Sequence, residues 1–215
     1  MTEKDTKKKD NAKKFWDSVS KRFGKPNQTT NSPALLSVKQ HSDKYFKSTD
    51  TILDFGCGTG DITLEIARKT RKVTGIDYSD GMIDAAIQKA KEQNSGNVDF
   101  LKTDLFDINF LDHSFDVVTA FNVLHYISDK KRNYNRVYEL LKPQGLFISS
   151  TACLGERYSL LRFLMAILTT IGVVPKMISY KKSDLENEIE KAGFSIVAAF
   201  DIAKLPERFI VAKKD

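Results

Sequence analysis

Three glycines at alternate positions, Gly56, Gly58 and Gly60, follow a short apolar run and precede a segment with helical periodicity. Because glycine has no side chain, such a loop turns sharply and lets a ligand approach the backbone closely. Dinucleotide-binding loops share this property, so the glycines alone are a weak signal. In the dinucleotide pattern the third glycine would fall at position 61, where this chain has Asp61. A carboxylate there would repel a pyrophosphate, and the loop therefore favours a ligand without phosphate.

Two further carboxylates follow the next two apolar runs. Asp77 ends the second predicted strand, 17 residues after Gly60, where it can accept hydrogen bonds from both hydroxyls of a ribose. Asp104 lies just past the third, where it can accept from an adenine amino group. Each acid alone is equally well explained as a helix cap or a loop residue. Together they favour a nucleoside with a cationic centre and no phosphate, which describes S-adenosylmethionine (SAM).

The elements that must position these residues alternate along the chain. Strands are predicted at 51–55, 72–76, 98–101, 115–120 and 146–150, with helices at 61–69, 79–93 and 129–141 between them. This alternation gives a parallel sheet with right-handed crossovers and helices on both faces. Two last strands, 194–200 and 208–212, are joined by the short turn Leu205-Pro206-Glu207 and must pair antiparallel. The sequence therefore predicts an α/β fold.

The chain resembles the class I SAM-dependent methyltransferases, in particular the small-molecule type that includes the ubiquinone/menaquinone methyltransferases. The resemblance spans roughly Phe15 to Ile148 and rests on four motifs, in order: Ile52-Leu53-Asp54-Phe55-Gly56-Cys57-Gly58-Thr59-Gly60, Gly75-Ile76-Asp77-Tyr78-Ser79, Ser114-Phe115-Asp116-Val117-Val118 and Leu140-Leu141-Lys142-Pro143-Gln144-Gly145. Gln144 departs from the family, which often has glycine there. The resemblance implies a Rossmann-like sheet of order 3-2-1-4-5-7-6 with the last strand antiparallel.

The resemblance also implies a set of residues around SAM, and around its product S-adenosylhomocysteine. Asp54 and the glycines would line the methionine end, Asp77 would hold the ribose and Asp104 would meet the adenine. The whole predicted set is Asp54, Gly56, Cys57, Gly58, Gly60, Asp77, Tyr78, Met82, Asp104, Leu105 and Asn122. Cys57 is not expected to be a nucleophile, because no neighbouring residue supplies a base.

His125 is the candidate catalytic residue, since it follows the fourth strand and histidine exchanges protons near neutral pH. It can act as a general base or orient the substrate, and the alternative is a structural, hydrogen-bonded histidine. Relatives often carry a Leu-His-His run, in which the second histidine is Tyr126 here. His41 and His113 are predicted at the surface.

The segment from Tyr158 to Pro175 is the most apolar in the chain. Its uninterrupted run, 163–174, is too short to span a bilayer. It is either a crossover helix buried on the sheet or the lid of an apolar pocket, together with Phe15, Trp16 and Phe23. The lid interpretation implies a small, apolar or amphipathic substrate, and the predicted substrate-binding residues are Trp16, Tyr126 and Leu164.

Composition limits the remaining possibilities. Of the net charge of +6, residues 1–25 hold nine basic and four acidic side chains, so the remaining 190 residues carry only +1. A nearly neutral body argues against a nucleic-acid partner.

With two cysteines and no secretory signal the expected location is the cytoplasm. No acidic cluster of the catechol-methyltransferase type is recognised, so no metal is expected.

The predicted organisation is a disordered basic tail over 1–12 and a single domain over 13–215. The domain begins with N-terminal helices within 13–47, placed at 11–23 and 34–46 around the turn-rich stretch Gly24–Pro33, and a substrate-covering insertion occupies 154–192. The leading function is methylation of a small molecule by in-line displacement. RNA or protein methylation is an alternative, although no Asn/Asp-Pro-Pro-Tyr/Phe run follows the fourth strand. A SAM-binding scaffold subunit and an NAD-dependent oxidoreductase also stay open, as do the acceptor atom and the oligomeric state.

Overall fold

The computed structural model describes residues 3–23, 33–155, 160–170, 174–202 and 206–215. The helices are α1 (Glu3–Phe23), α2 (Pro33–Ser42), α3 (Asp61–Ala67), α4 (Asp80–Glu92), α5 (Lys130–Leu140), α6 (Leu160–Thr170) and α7 (Lys182–Lys191). The strands are β1 (Thr51–Phe55), β2 (Lys72–Asp77), β3 (Val98–Lys102), β4 (Phe115–Phe121), β5 (Leu141–Ala152), β6 (Phe194–Asp201) and β7 (Glu207–Lys214). Short 3-10 helices occupy Asp43–Tyr45 and Leu124–Tyr126.

Within these residues the strands form one sheet of order β3-β2-β1-β4-β5-β7-β6, as predicted. The first five strands pair in parallel, and β7 is antiparallel to both β5 and β6. Side chains of α2 and α3 pack on one face of the sheet, and side chains of α5 and α7 pack on the other. Because β1 lies between β2 and β4, the loops after these three strands meet at one edge of the sheet.

Local sequence explains the elements that carry the site. β1 buries Ile52 and Leu53 on opposite faces, which suits a central strand covered on both sides. α4 begins after Ser79, whose hydroxyl oxygen accepts a hydrogen bond from the Met82 N–H. The apolar stripe of α4 then packs Ile83 and Ala86 against Phe100 of β3. The helix that follows β2 is thereby fixed at its start and along its length.

The structure corrects several predicted boundaries. α1 begins at Glu3, so the expected start at residue 11 is too late, and the disorder predicted for residues 1–12 is wrong over 3–12. Lysine and glutamate are good helix formers, which lets the amphipathic helix extend upstream without apolar residues. α2 ends at Ser42 and gives way to 3-10 helix instead of continuing to 46. α7 was not predicted, because Leu185 and Ile189 are its only buried apolar side chains among those described.

Some predictions lie outside the described residues. These are the turn-rich stretch up to residue 32, parts of the predicted insertion (156–159 and 171–173) and most of the turn between β6 and β7. The side chain of Phe23 is also not described. The extent of the substrate-covering insertion over 154–192 stays a prediction.

Gln144 adopts a φ of 65°, in the left-handed region that glycine enters without penalty. This explains why a glycine is common at that position in the family that the sequence resembles. The β4–β5 register shifts nearby, between the pairs Phe115–Leu141 and Val117–Leu146. β5 therefore begins at Leu141, five residues before the predicted start, with an irregular section in between.

Candidate functional site

The glycine loop after β1 has the backbone that its sequence predicts. Gly56, Gly58 and Gly60 adopt φ angles of 73°, 54° and 78°. A Cβ atom on Gly56 would lie 2.5 Å from Val123 Cγ2, and one on Gly60 would lie 2.7 Å from Phe100 Cζ. A Cβ atom on Gly58 would meet no described atom within 4 Å. Gly56 and Gly60 are therefore required by packing, whereas Gly58 faces open space that a ligand can enter.

Asp77 ties the loop to the end of β2. Its Oδ2 accepts a hydrogen bond from the Gly58 N–H at 3.1 Å, and its Oδ1 accepts from the Ser79 N–H at 2.9 Å. Each carboxylate oxygen has two lone pairs, so both keep the capacity to accept from ligand hydroxyls. Burial raises the pKa of Asp77, and the backbone N–H donors oppose that effect. The position and chemistry suit the predicted contact with a ribose.

Asp54 supports the loop from inside the protein. It is buried, and its Oδ1 and Oδ2 accept hydrogen bonds from Thr119 Oγ1 at 2.7 Å and Thr63 Oγ1 at 2.5 Å. Burial raises the pKa of Asp54, and the two threonine hydroxyls oppose the effect. The carboxylate thus joins β1 to α3 and β4. Its predicted place at the methionine end of a cofactor stays a prediction, and what the structure shows is a role in holding the loop.

Asp61 corrects an argument made from the sequence. Lys89 Nζ lies 2.9 Å from both carboxylate oxygens of Asp61 and donates to Thr59 Oγ1 at 3.2 Å. Thr59 in turn donates to Asp61 Oδ2 at 2.6 Å. The Lys89 ammonium cancels the charge that was expected to repel a pyrophosphate. That physical reason for excluding a dinucleotide is therefore wrong, although the spacing of the glycines still differs from the dinucleotide pattern.

The predicted adenine contacts differ in how accessible they are. Tyr78 is exposed at the end of β2, and Met82 is nearly buried in the first turn of α4. Asp104 is exposed, and its Oδ1 accepts from the Phe106 N–H at 2.9 Å. Tyr78 and Asp104 are therefore open to a ligand at the ends of β2 and β3.

Leu105 and Asn122 have contrasting environments. The Leu105 side chain is fully buried in the core beside β4 and α5, and its contact with a cofactor stays a prediction. Asn122 is exposed with a φ of 55°, a conformation that asparagine tolerates better than most residues. Its N–H donates to the Ser150 carbonyl at 2.8 Å, which holds the loop after β4 against β5.

Cys57 is a packing residue of the loop. Its thiol is largely enclosed, and burial raises its pKa well above the usual value, with Asp54 and Asp77 adding to the effect. A thiol that stays protonated is a poor nucleophile. The environment agrees with the expectation that Cys57 does not attack a substrate.

His125 lies in the 3-10 helix after β4 and is 4% exposed. Burial lowers its pKa from 6.5 to about 4, so the imidazole is neutral at physiological pH. Among the described residues its Nδ1 has no hydrogen-bond partner. The backbone carbonyl of His125 accepts from the Ile178 N–H at 2.7 Å. A buried, unpaired ring nitrogen is rare in a purely structural histidine.

Two of the predicted substrate-binding residues pack together beside His125. The rings of Trp16 and Tyr126 are 5.1 Å apart in an edge-to-face arrangement, and the Tyr126 and His125 rings are 4.3 Å apart. Phe15 packs edge-to-face on Trp16 at 5.0 Å. Burial raises the pKa of Tyr126 to about 12, so its hydroxyl is neutral. α1 therefore brings aromatic side chains to the loop after β4.

α6 presents an apolar face to solvent. Phe163, Leu164 and Ile167 are 65%, 48% and 42% exposed. These positions recur at helical spacing, so they share one side of the helix. The interpretation of this segment as a crossover helix buried on the sheet is wrong for these three side chains. Exposed apolar surface of this kind is typical of a lid or a binding surface.

Asp17 was missed from the sequence. Its Oδ1 accepts hydrogen bonds from Ser79 Oγ at 2.6 Å and from the Gly81 N–H at 3.1 Å. The sequence signal was weak, because Asp17 lies on a helix rich in charged residues and 62 positions before Ser79.

His41 was expected at the surface, but it is half-buried and its ring packs 4.6 Å from Phe200. His113 is exposed as expected.

Metal ligands, membrane-spanning helices and a further groove are the remaining features that could indicate a site among the described residues. No group of three or more potential metal ligands occurs among them. None of the helices in the described ranges has the length and apolar character required to span a bilayer. An open groove of about 710 Å³ lies between residues 106–110 and α5. Its charged side chains have both signs, and it contains no residue of the glycine loop, so we do not assign the chemistry to it.

Comparisons with known proteins agree with this geometry. A family model described as a methyltransferase domain matches residues 46–193. A demethylmenaquinone methyltransferase of Lactococcus lactis is 32% identical over 142 residues, which are 61% of this chain and 54% of that protein. The chain spans about half the length of the curated relatives it matches.

Solved structures show the same fold. A SAM-dependent methyltransferase from Aquifex aeolicus aligns with a TM-score of 0.72 and 20% identity over 93% of this chain and 98% of that one. A [4+2]-cyclase aligns with a TM-score of 0.71 and 18% identity over 84% and 80%. Because proteins of different named activities share this architecture, the fold alone does not fix the chemistry.

Proposed function

Because the chain belongs to the methyltransferase-domain family, we propose that it binds SAM and transfers its methyl group to a small, largely apolar or amphipathic acceptor. The observation that carries the proposal is the glycine loop, which is fastened to Asp77 and opens at Gly58. This is the point where the ends of β1 and β2 leave room for a ligand next to a carboxylate.

The residues present fit SAM. Asp77 offers acceptor oxygens for the ribose hydroxyls, Tyr78 and Asp104 are exposed for the adenine, and the glycine loop offers space for the methionine part. SAM supplies a methyl group that is already activated by its sulfonium leaving group. The protein is then left with alignment of the acceptor, in line with the bond that breaks, and with exclusion of water.

The acceptor class is inferred from the apolar side chains of α1, α6 and the loop after β4. Trp16 and Tyr126 form an aromatic wall beside the loop after β4, and α6 exposes Phe163, Leu164 and Ile167. These surfaces favour a flat or chain-like apolar molecule. The Lactococcus lactis relative is named for demethylmenaquinone, so reduced naphthoquinones with an isoprenoid tail are the first acceptors to test.

His125 suits the task of orienting the acceptor. With a pKa of about 4 its imidazole is a weak base, but its buried Nδ1 can exchange a hydrogen bond with a hydroxyl of the acceptor. Hydroquinone-type acceptors carry such a hydroxyl. We therefore propose that His125 aligns the substrate, and we favour this role over that of a general base.

RNA or protein methylation is less well supported. The chain outside residues 1–25 has a net charge of only +1, which gives little attraction for phosphate. A non-catalytic SAM-binding scaffold is consistent with an intact loop, but it gives no reason for an unpaired, buried His125 Nδ1 beside an aromatic wall. Direct measurement separates these functions.

The test has two stages. Calorimetric titration with SAM, S-adenosylhomocysteine and NAD should show binding of the first two and none of NAD. Transfer of a radiolabelled methyl group is then followed with reduced naphthoquinones of increasing tail length, with phenols, and with RNA and protein. Transfer to a quinol that improves with tail length supports the proposal. Binding of SAM with no transfer to any acceptor would indicate a scaffold, and preferential transfer to RNA or protein would overturn the proposed acceptor class.

A further inference from the structure

Two consecutive residues of α1 contact opposite sides of the candidate site. Asp17 binds Ser79 and Gly81, which follow β2, and Trp16 packs on Tyr126, which follows β4. In the sheet β1 lies between β2 and β4. This part of α1 therefore crosses the edge at which β1 ends, where the glycine loop begins.

The Asp17 carboxylate completes the cap of α4. The Ser79 hydroxyl accepts from the Met82 N–H and gives its single proton to Asp17 Oδ1. The same oxygen of Asp17 accepts from the Gly81 N–H, so it satisfies a helix-terminal donor that has no partner within the helix. A negative charge is also favourable at a helix N-terminus. A residue far away in sequence thus fixes the first turn of α4.

This cap is connected to the candidate ribose-binding residue. Ser79 donates its backbone N–H to Asp77 Oδ1 at 2.9 Å while its side chain is held by Asp17. Because both groups belong to one residue, the position of Asp17 limits how far the 77–79 segment can move. Asp17 itself does not need to touch the cofactor to affect its binding.

Close packing and charge hold α1 in place. A Cβ atom on Gly81 would lie 2.4 Å from Ser20 Oγ, so α1 rests directly on the first turn of α4. Lys13 of α1 pairs with Asp17 at 3.0 Å and with Asp80 at 2.5 Å. These ion pairs are partly exposed, so each contributes little by itself. The hydrogen bonds of Asp17 are the specific part of the contact.

We propose that Asp17 is a positioning residue of the cofactor site, which fastens α1 across the ends of β2, β1 and β4 and retains bound SAM. The proposal rests on the proposed function, since it assumes that SAM occupies the glycine loop. α1 must loosen from α4 when the cofactor enters or the product leaves. Asp17 then determines the dissociation rate of SAM more than it determines the chemical step.

The first experiment compares Asp17→Ala, Asp17→Asn and Lys13→Met in the full chain. Asp17→Ala should raise the SAM dissociation rate about tenfold or more, and should raise KM for SAM by a larger factor than it lowers kcat. Asp17→Asn keeps an acceptor oxygen for Ser79 and Gly81, so it should restore most of the affinity. Lys13→Met removes two partly exposed ion pairs and leaves the bonds of Asp17 to Ser79 and Gly81 in place, so SAM binding should fall by less than about threefold.

The second experiment locks α1 to α4 with a disulfide through Ser20→Cys combined with Gly81→Cys, whose side chains would adjoin. In the oxidised protein, association and dissociation of SAM should both slow at least tenfold, and reductant should restore them. This variant tests the inference even when Asp17→Ala fails to fold.

The outcomes separate the two proposals. If the wild type does not bind SAM, the proposed function fails. If the wild type binds SAM but Asp17→Ala retains it equally well, or Asp17→Asn is as defective as Asp17→Ala, Asp17 does not act through these hydrogen bonds. If the oxidised disulfide variant exchanges SAM as fast as the reduced one, α1 does not close over the cofactor.

Discussion

The Lys89 ammonium lies 2.9 Å from each carboxylate oxygen of Asp61, the residue that follows the glycine loop. Lys89 is only 4% exposed, so the pair is withdrawn from water and joins α4 to the first turn of α3. In the sequence Asp61 resembles a free acid that faces the ligand. In the folded protein it is half of an internal ion pair, which stabilises the loop and leaves the ligand to be recognised by other residues.

Breaking this pair should destabilise the protein. Lys89→Met leaves the Asp61 carboxylate without its buried cation, and the free energy of unfolding should fall by about 3 kcal/mol. Lys72→Met, which removes an exposed pair with Asp99, should cost less than about 1 kcal/mol. Urea denaturation of both variants checks the prediction. The double variant Asp61→Asn with Lys89→Met should recover part of the loss, and equal costs for the two lysines would contradict the argument.

Alanine substitutions in the glycine loop should have different effects: Gly56→Ala should mainly lower stability, and Gly58→Ala should mainly lower SAM affinity. Gly56→Ala places a Cβ atom 2.5 Å from Val123, so it should lower the free energy of unfolding by about 2 to 4 kcal/mol. Gly58→Ala meets no described atom and should cost only about 1 kcal/mol, from its left-handed backbone. SAM affinity should nevertheless fall sharply in Gly58→Ala, because the added methyl group enters the open space.

Thermal unfolding and SAM titration of both glycine variants give the measurement. A double-mutant cycle with Val123→Gly is the matched control, because that change removes the three side-chain atoms that the added Cβ atom would approach, and Gly56→Ala should cost less stability in that background than in the wild type. If Gly58→Ala binds SAM as the wild type does, the open space beside Gly58 is not the cofactor site.

Periodicity and turn chemistry predicted most of the fold. The parallel sheet and its antiparallel last pair followed from alternating apolar runs and from the short turn before β7, because each is a local signal with few structural solutions. The order of the strands was implied by the resemblance to the methyltransferases. α7 was missed because two buried apolar side chains, Leu185 and Ile189, give little periodicity. The start of α1 was misplaced because a lysine-rich helix and a disordered tail have similar compositions.

The position of a candidate site residue was predictable where the residue belongs to a local sequence motif. Gly58 and Asp77 belong to motifs whose spacing fixes them at strand ends. The partners of Asp61 and the burial of Leu105 depend on contacts between elements far apart in sequence, which one sequence does not reveal. For the same reason Asp17 was missed, since its partners lie more than 60 residues away.

Asp77 should account for much of the affinity for SAM. Asp77→Ala removes both acceptor oxygens that we propose for the ribose hydroxyls and also releases the Gly58 N–H. Affinity should fall roughly 10- to 100-fold, as expected for losing charged hydrogen bonds. Calorimetric titration is the measurement, and Asp99→Ala on the edge strand β3 serves as a control that leaves the site intact. Unchanged binding in Asp77→Ala would refute the ribose assignment.

The exposed face of α6 should affect the acceptor and not the stability. Leu164→Asp places a charge where we expect an apolar acceptor, so KM for the acceptor should rise at least tenfold while SAM binding is retained. Its unfolding free energy should change by less than about 0.5 kcal/mol, because Leu164 is half exposed. Ile108→Asp introduces the same charge at an exposed apolar residue of the loop between β3 and β4 and should leave KM unchanged. Equal kinetics for the two variants would remove α6 from the acceptor site.

His125 should make stability depend on pH in a defined window. Burial lowers its pKa in the folded protein to about 4, whereas the unfolded value is 6.5. Below pH 6.5 the unfolded chain gains a proton that the folded protein does not take up until near pH 4, so unfolding becomes easier as the pH falls. The contribution is complete above pH 6.5, and about 2 kcal/mol of it is lost at pH 5. His125→Gln lacks this group and should lose correspondingly less stability. Urea denaturation of both proteins at pH 8 and pH 5 isolates the effect, since all other titrating groups are shared. If the difference in unfolding free energy between them is the same at both pH values, His125 is not held neutral by burial.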